Sequence, residues 1–342
     1  MSRDYCAVSA KLKAMYGRRL KREDFEALLL KKSVPEICAA LKKTEAYGEA
    51  FADTDEQQAH RGEVEKVLEQ CFYEEYERLY SFVDAKKREL LRLWLVRRET
   101  DVLSEALRHI SNAESTEQRK VSEFFVRHTG IDTDALCKAK SLAEAAAACK
   151  NTRYYDVLNR ADRAGSEFFS IAMTLDRDYF VLAKKAAQKY LDGEEQKIFS
   201  ELYEDTAELL NVMWIYRGKK YFGFDADLIY TYLLPLRRRI KPDELAAMVS
   251  APDADAVAAI AAKTPAGVLF SAIADGIFPE EMYRRETARL SRRILRDSPD
   301  TMAAVFAYLN LKELEIKTIT MIIEAVRYGH NPDAARRHIM IF

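Results

Sequence analysis

One stretch of this chain occurs three times, and that repetition limits the available folds more than any other feature. Residues 33–47 read SVPEICAALKKTEAY. Val34, Ile37, Cys38 and Leu41 fall at i, i+3, i+4 and i+7, the apolar stripe of an amphipathic helix. Ser33 is a good N-cap, and Glu36 three residues later makes a capping box. Pro35 stands in the first turn, where its missing N–H costs little. Thr44 is placed to cap the next element. Residues 141–155, SLAEAAAACKNTRYY, return 108 residues on with seven of fifteen columns identical, from Ser33/Ser141 through Thr44/Thr152 to Tyr47/Tyr155. A third copy starts at Asp253, 112 residues further, and there the likeness is longer. Arg18–Thr44 runs without gaps against Arg238–Thr264, with Asp253 as cap and Thr264-Pro265 as an N-cap and N1 pair.

Each copy opens a unit large enough to bury its own core. The units also end alike. Glu89 begins ELLRLWLVRRE, Glu208 begins ELLNVMWIYRG and Glu315 begins EIKTITMIIEAVRYG. Each is an acid, then apolar residues at helical spacing, then a basic end that suits a helix C-terminus. After the last two come a Gly (Gly223, Gly329), a cap (Asp225, Asn331) and an acid (Asp227, Asp333), with Pro332 at N1. The expected organisation is three similar helical domains, 1–112, 113–232 and 233–342. The polar run Ser111–Glu117 marks the first boundary, and Leu234-Pro235 opens the last third. Three such units joined in sequence can close around a pseudo-threefold axis and leave a central cavity.

The 342 residues contain only 11 Gly and 8 Pro, and Pro35 alone precedes residue 235. So few breakers among many Ala, Leu, Glu, Lys and Arg predict an all-α chain. The pattern gives short helices over Asp4–Tyr16 and Arg22–Lys32, one long aromatic-rich helix over Glu63–Arg98, and another over Phe168–Tyr190.

The net charge is −1, which makes no general case for nucleic acid. Five Cys without a CxxC suit reduced cytosolic thiols. The N-terminus lacks the apolar run of a signal peptide, and no stretch approaches the roughly 18 apolar residues of a spanning helix. No GxxxxGK[ST], GxGxxG or HExxH occurs, and His60, His109, His128, His330 and His338 are scattered. Asp132-Thr133-Asp134 starts like a calcium loop, but Cys137 and Ala143 stand where Gly and Glu are needed, so a capping role is expected. Glu280-Glu281 reads as solvated surface. The expectation is no catalytic residue, no cofactor and no metal. Two basic runs, Leu236–Lys241 and Arg289–Arg296, read either as solvated helix faces or as contacts for an acidic protein or lipid head group. The aromatics Tyr216, Tyr221, Phe222, Phe224, Tyr230 and Tyr232 read as core, with some able to line an interface.

Four stretches carry a resemblance: AKLKAMYGRRLKREDFEALLLKKSVPEICAALKKTEAYG at the start, LDRDYFVLAKKA in the middle, DTAELLNVMWIYRGKKYFGFDADLIYTYLLP, and ELEIKTITMIIEAVRYG near the end. Together, over nearly the whole chain and in order, they resemble the C subunit of the bacterial and archaeal V/A-type ATPase/ATP synthase, the counterpart of the d subunit of the eukaryotic vacuolar pump. A family turn of the type IPxxxxL is altered here to LPLRRRI at Leu234–Ile240. The resemblance implies a funnel of three helical domains that sits on the membrane rotor ring and receives the foot of the central shaft. It implies a non-catalytic piece of the central stalk, cytoplasmic and peripheral on the membrane, whose partners are the central shaft subunits and the rotor ring. It implies no nucleic acid and no membrane span.

Two other readings stay open: a helical-repeat adaptor outside any ATPase, and an enzyme with its site in the central cavity. The candidate shaft and ring contacts are the basic helix ends Arg97, Arg98, Arg217, Lys219, Lys220 and Arg327. Brought to one level by a threefold axis, they would form a positive ring for an acidic shaft foot. Alternatively, each neutralises its own helix C-terminus or a neighbouring acid.

Overall fold

The computed structural model describes residues 3–111 and 121–339. The expected boundary beyond Ser111 lies outside the described residues. Those residues are helical with no strand among them. The first run of helices is α1 (Arg3–Gly17), α2 (Arg22–Leu29), α3 (Val34–Lys42), α4 (Arg61–Phe82) and α5 (Ala85–Ser111). Next come α6 (Glu123–His128), α7 (Thr133–Lys138), α8 (Leu142–Ala148), α9 (Tyr155–Ala164), α10 (Phe168–Tyr190) and α11 (Gly193–Arg217). The last are α12 (Ala226–Tyr232), α13 (Pro242–Val249), α14 (Ala254–Ala261), α15 (Pro279–Asp297), α16 (Met302–Arg327) and α17 (Pro332–Ile339). One order therefore recurs: two short capped helices (α2–α3, α7–α8, α13–α14) and later two long ones (α4–α5, α10–α11, α15–α16).

The repeated caps form as their chemistry dictates. The Ser33 hydroxyl accepts from the Glu36 N–H (3.3 Å), Ser141 from Glu144 (3.2 Å) and the Asp253 carboxylate from Ala256 (2.8 Å). The reciprocal bond differs from a standard box. Glu36 and Glu144 reach past the cap to the N–H of Lys32 (3.0 Å) and Lys140 (2.7 Å). Thr44, Thr152 and Thr264 each donate back to the helix they close, at 2.7, 2.7 and 2.8 Å. Each then accepts an N–H of the following turn, from Tyr47, Tyr154 and Ala266, at 3.2 Å. Tyr47 and Tyr154 are buried whereas Tyr155 is exposed. The structural counterpart of Tyr47 is therefore Tyr154, one residue earlier than the text match.

Two sequence expectations are corrected. Glu63–Arg98 is not one helix: α4 ends at Phe82, Val83 turns to an extended conformation, and α5 runs on to Ser111. Arg97 and Arg98 therefore sit inside α5, and its basic last turn holds Arg108 and His109. Nothing after Arg98 breaks a helix, so the chain continues.

The chain divides into two compact units, each assembled from separated segments. One comprises Met1–Ala85, Gly193–Leu202 and Ala258–Phe342; the other comprises Lys86–Asp192 and Tyr203–Val257. In the first, α16 is central and packs against α1, α2, α3, α4, α15 and α17. Sixteen of its 26 residues are buried, which makes it a helix enclosed nearly all round rather than amphipathic. Its core includes Phe25, Ile37, Leu41, Tyr47, Phe51, Leu68, Ile319 and Ile323. In the second unit, Leu103 and Leu107 of α5 pack with Ile131, Leu136, Ala145, Ala146, Leu158 and Leu175.

Candidate functional site

A helix enclosed on every side has little room for charge, so a carboxylate in its middle must be paired. Glu315 on α16 is fully buried. One oxygen accepts from the Arg19 Nε (3.1 Å) and from the Leu20 N–H (3.2 Å). The other accepts from the Tyr47 hydroxyl (2.8 Å) and the Lys312 ammonium (3.2 Å). Lys312 also meets Glu75 at 3.2 Å and lies 4.2 Å from the centre of the Tyr47 ring. Tyr308 closes the cluster by donating to Glu75 at 2.6 Å. Two cations and two anions thus cancel in the core. Burial alone would lower the Lys312 pKa, but Glu315 and Glu75 outweigh it and hold it up at about 12. Burial, then Glu315, raises Tyr47; burial, then Glu75, raises Tyr308.

The second unit repeats the arrangement with other donors. Glu208 on α11 is buried, and one of its oxygens accepts the backbone N–H of Arg238, of Arg239 (2.5 Å) and of Ile240 (2.9 Å). Three successive N–H groups on one oxygen form an anion-binding nest filled from within the chain. One turn earlier, Asp205 takes a bidentate pair of bonds from the Arg238 side chain, both at 2.7 Å. One turn later, the Asn211 amide bonds the Leu234 backbone in both directions, at 2.8 and 3.1 Å. On α5, Glu99 accepts from the Thr129 hydroxyl and the Tyr154 hydroxyl, each at 2.8 Å.

Glu99, Glu208 and Glu315 stand 109 and 107 residues apart, close to the spacing of the capped helices. Each grips the segment that opens a repeat: Thr129 before α7, residues 238–240 before α13, and Arg19-Leu20 before α2. The acid text-matched in the first third, Glu89, is instead a half-exposed residue paired with Arg92. The triple carboxylate is what sequence reading missed, and its even spacing was the available signal.

The sequence-predicted contacts fall in different settings. Arg97 pairs with Asp176 (2.6 Å) and Asp101 (3.4 Å) and lies over the Tyr179 ring. Burial pushes the Asp176 carboxyl up against the pull of Arg97. Arg98 meets Asp101 at 3.7 Å and stacks on Trp94. Arg217, half-buried, lies over Phe169 at the end of α11. Beyond it a π-helical turn, Gly218–Phe222, presents Lys219 and Lys220 and ends at left-handed Gly223 (φ 61°). Lys220 donates to a neutral group, the Tyr216 hydroxyl, at 2.8 Å and faces the Tyr216 and Tyr221 rings. Phe222 stacks on Phe169 at 4.4 Å. Arg327 is in the last turn of α16 over the exposed Tyr328, in the other compact unit.

Other readings shift as well. Tyr216 is core, but Tyr221, Phe222 and Tyr230 are exposed. The run Leu236–Lys241 is not a helix face; Arg238, Arg239 and the backbone of 238–240 serve Asp205 and Glu208. Glu281 is buried against Arg285 rather than solvated. Asp132 caps α7 through the Ala135 N–H (3.0 Å), as expected. No group of His, Cys, Asp and Glu among the described residues is arranged to hold a metal, and none of their helices is long and apolar enough to cross a membrane.

Residues 8–338 match the family model described as ATP synthase (C/AC39) subunit. The C subunit of the A-type ATP synthase of Thermococcus kodakarensis (strain ATCC BAA-918 / JCM 12380 / KOD1) is 20% identical over 348 residues, a match spanning 98% of this chain and 90% of that relative.

Proposed function

Because this chain belongs to the ATP synthase (C/AC39) subunit family, we propose that it is the non-catalytic coupling piece of a V/A-type rotary ATPase, joining the central shaft to the membrane rotor ring. The observation that carries this reading, beside the family, is the set of three carboxylates at the middle of α5, α11 and α16, Glu208 and Glu315 buried and Glu99 partly buried. A coupling must pass torque without slip, and close-packed helices transmit strain rather than absorb it. Fixing α11 and α16 near their middle to the start of a capped-helix pair serves stiffness.

The same contacts support a pseudo-threefold arrangement of the thirds 1–112, 113–232 and 233–342. The first third holds the second at Glu99, the second holds the third at Glu208, and the third holds the first at Glu315. In this reading the protein works on the cytoplasmic side, peripheral to the membrane through its complex, with the shaft subunits and the rotor ring as partners.

We propose the basic residues Arg217, Lys219, Lys220 and Arg327 as the first candidates for the shaft contact. Arg97 and Arg98 are weaker candidates, since both already face Asp101. The test uses the assembled complex. Recovered through a tag on this chain, its native mass should include the shaft and ring subunits; recovery of the chain without any ATPase subunit would sink the reading. Lys219→Glu with Lys220→Glu should weaken shaft binding at low salt with an unchanged melting temperature, and raised salt should weaken the wild type. Normal binding by the double variant would move the contact elsewhere.

A further inference from the structure

The three carboxylates are alike in place but not in hold, and from this we infer that the Glu99 joint is the yielding one, at which the short helices α7–α9 shift along α5 while the other two joints stay closed. This goes beyond the coupling role and does not depend on it.

Two independent observations carry the inference. The first is the chemistry at each carboxylate. Glu315 is held by two cations, a hydroxyl and a backbone N–H. Glu208 is held by three backbone N–H groups, with the bidentate Arg238–Asp205 pair one turn away. A carboxylate makes charge-assisted bonds with any donor, so the joints differ in the number of donors they hold and, at Glu315, in the cations among them. Glu99 has two neutral hydroxyl donors, and among the described residues no Lys or Arg forms an ion pair with it.

The second observation is the apolar packing behind each joint. The core around Glu315's partners encloses Phe25, Tyr47 and Phe51 among its Leu and Ile side chains, with a single buried Ala. The core behind Glu99 contains three buried Ala (Ala145, Ala146, Ala148) and no buried Phe, the buried Phe124 and Phe125 of α6 not being among its members. Small side chains bury less apolar area per residue, so they resist separation less. The helices concerned are also short. α7 has six residues and α8 has seven, against eight or nine in α2, α3, α13 and α14. Helices this short take their stability from packing.

Hydrogen exchange of the full-length chain, read by mass spectrometry, tests this directly, since local opening sets the exchange rate. After correction for intrinsic rates, amides of residues 133–138 should exchange at least fivefold faster than those of 22–29 and 242–249. A smaller ratio to either segment overturns the inference. Substitution gives a second, separate reading. Glu208→Gln should speed exchange at 242–249 by at least fivefold, and Glu99→Gln should change exchange at 133–138 by less, because that joint already opens. An equal or larger effect of Glu99→Gln would show that the Glu99 carboxylate grips as firmly as Glu208, and the inference fails. If Glu208→Gln does not fold, the wild-type ratio alone decides.

Discussion

Glu315 and Glu208 hold equivalent places on equivalent helices, yet one is held mainly by side chains and the other by main chain. Around Glu315 the partners Arg19, Tyr47 and Lys312 converge from three helical neighbourhoods into an enclosed, neutral cluster. Around Glu208 the partners are consecutive N–H groups of one bend. The difference teaches that a fold can preserve an anchor while replacing everything that binds it. What must stay fixed is the acceptor and its position; the donors need only be ones that burial would otherwise leave unpaired.

Substitutions can break or sharpen this contrast. The largest effect is expected from Glu315→Ala. It leaves the buried Lys312 with Glu75 as its acid and strips Arg19 of its carboxylate, with the Leu311 carbonyl still beside it. Removing one partner of a buried pair costs about 3–5 kcal/mol, and denaturant melts should show a loss of that size. A loss under about 1 kcal/mol would mean that water enters the cluster and the two joints differ less than their partners suggest.

Alkaline pH probes the same contrast without mutation. Lys312 is held at about 12 against an ordinary 10.5, so its stabilising contribution is complete below about 10.5 and is lost as pH rises towards 12. Tyr47 and Tyr308 are raised above the ordinary 10.0, and they add the same sign. The melting temperature should therefore fall steadily above pH 10. In Lys312→Met the lysine part of that slope should vanish; an identical slope would assign it all to tyrosines.

Smaller effects come from the caps, which are alike in all three thirds and so should not distinguish them. Ser33→Ala and Ser141→Ala should each cost about 1 kcal/mol. Similar losses at both sites would show that the repeat is energetic as well as geometric. The smallest is Thr129→Val, which removes one of the two hydroxyls on Glu99 and should cost under about 1 kcal/mol, because the remaining acceptor can turn to water. A larger loss would place Glu99 beside its two counterparts.

The helix starts were legible because they are local. Ser33, Ser141, Asp253 and the three threonines act on N–H groups two or three residues away, and such spacing can be read directly. The all-α character followed from the scarcity of Gly and Pro. The carboxylate joints were not read, since Glu315 and Tyr47 lie 268 residues apart in the chain. Local text also misled: ELL at Glu89 imitates ELL at Glu208, whereas the residue in the equivalent place is Glu99. Matching by even spacing rather than by letters would have chosen correctly. The turn at Val83 carries no Gly or Pro, so apolar periodicity runs through it unmarked. Arg238 and Arg239 looked like a solvated run because their acids, Asp205 and Glu208, lie far back in the chain on α11.

The nest around Glu208 has a consequence for how this chain can drift. Its donors are N–H groups, and every residue type except proline supplies one. Positions 239 and 240 can therefore change side chain over many generations without releasing the carboxylate, while proline at either would remove a donor at once. The Arg19, Tyr47 and Lys312 positions have no such latitude, because their side chains are the donors. Two joints alike in place are thus subject to different rules of substitution.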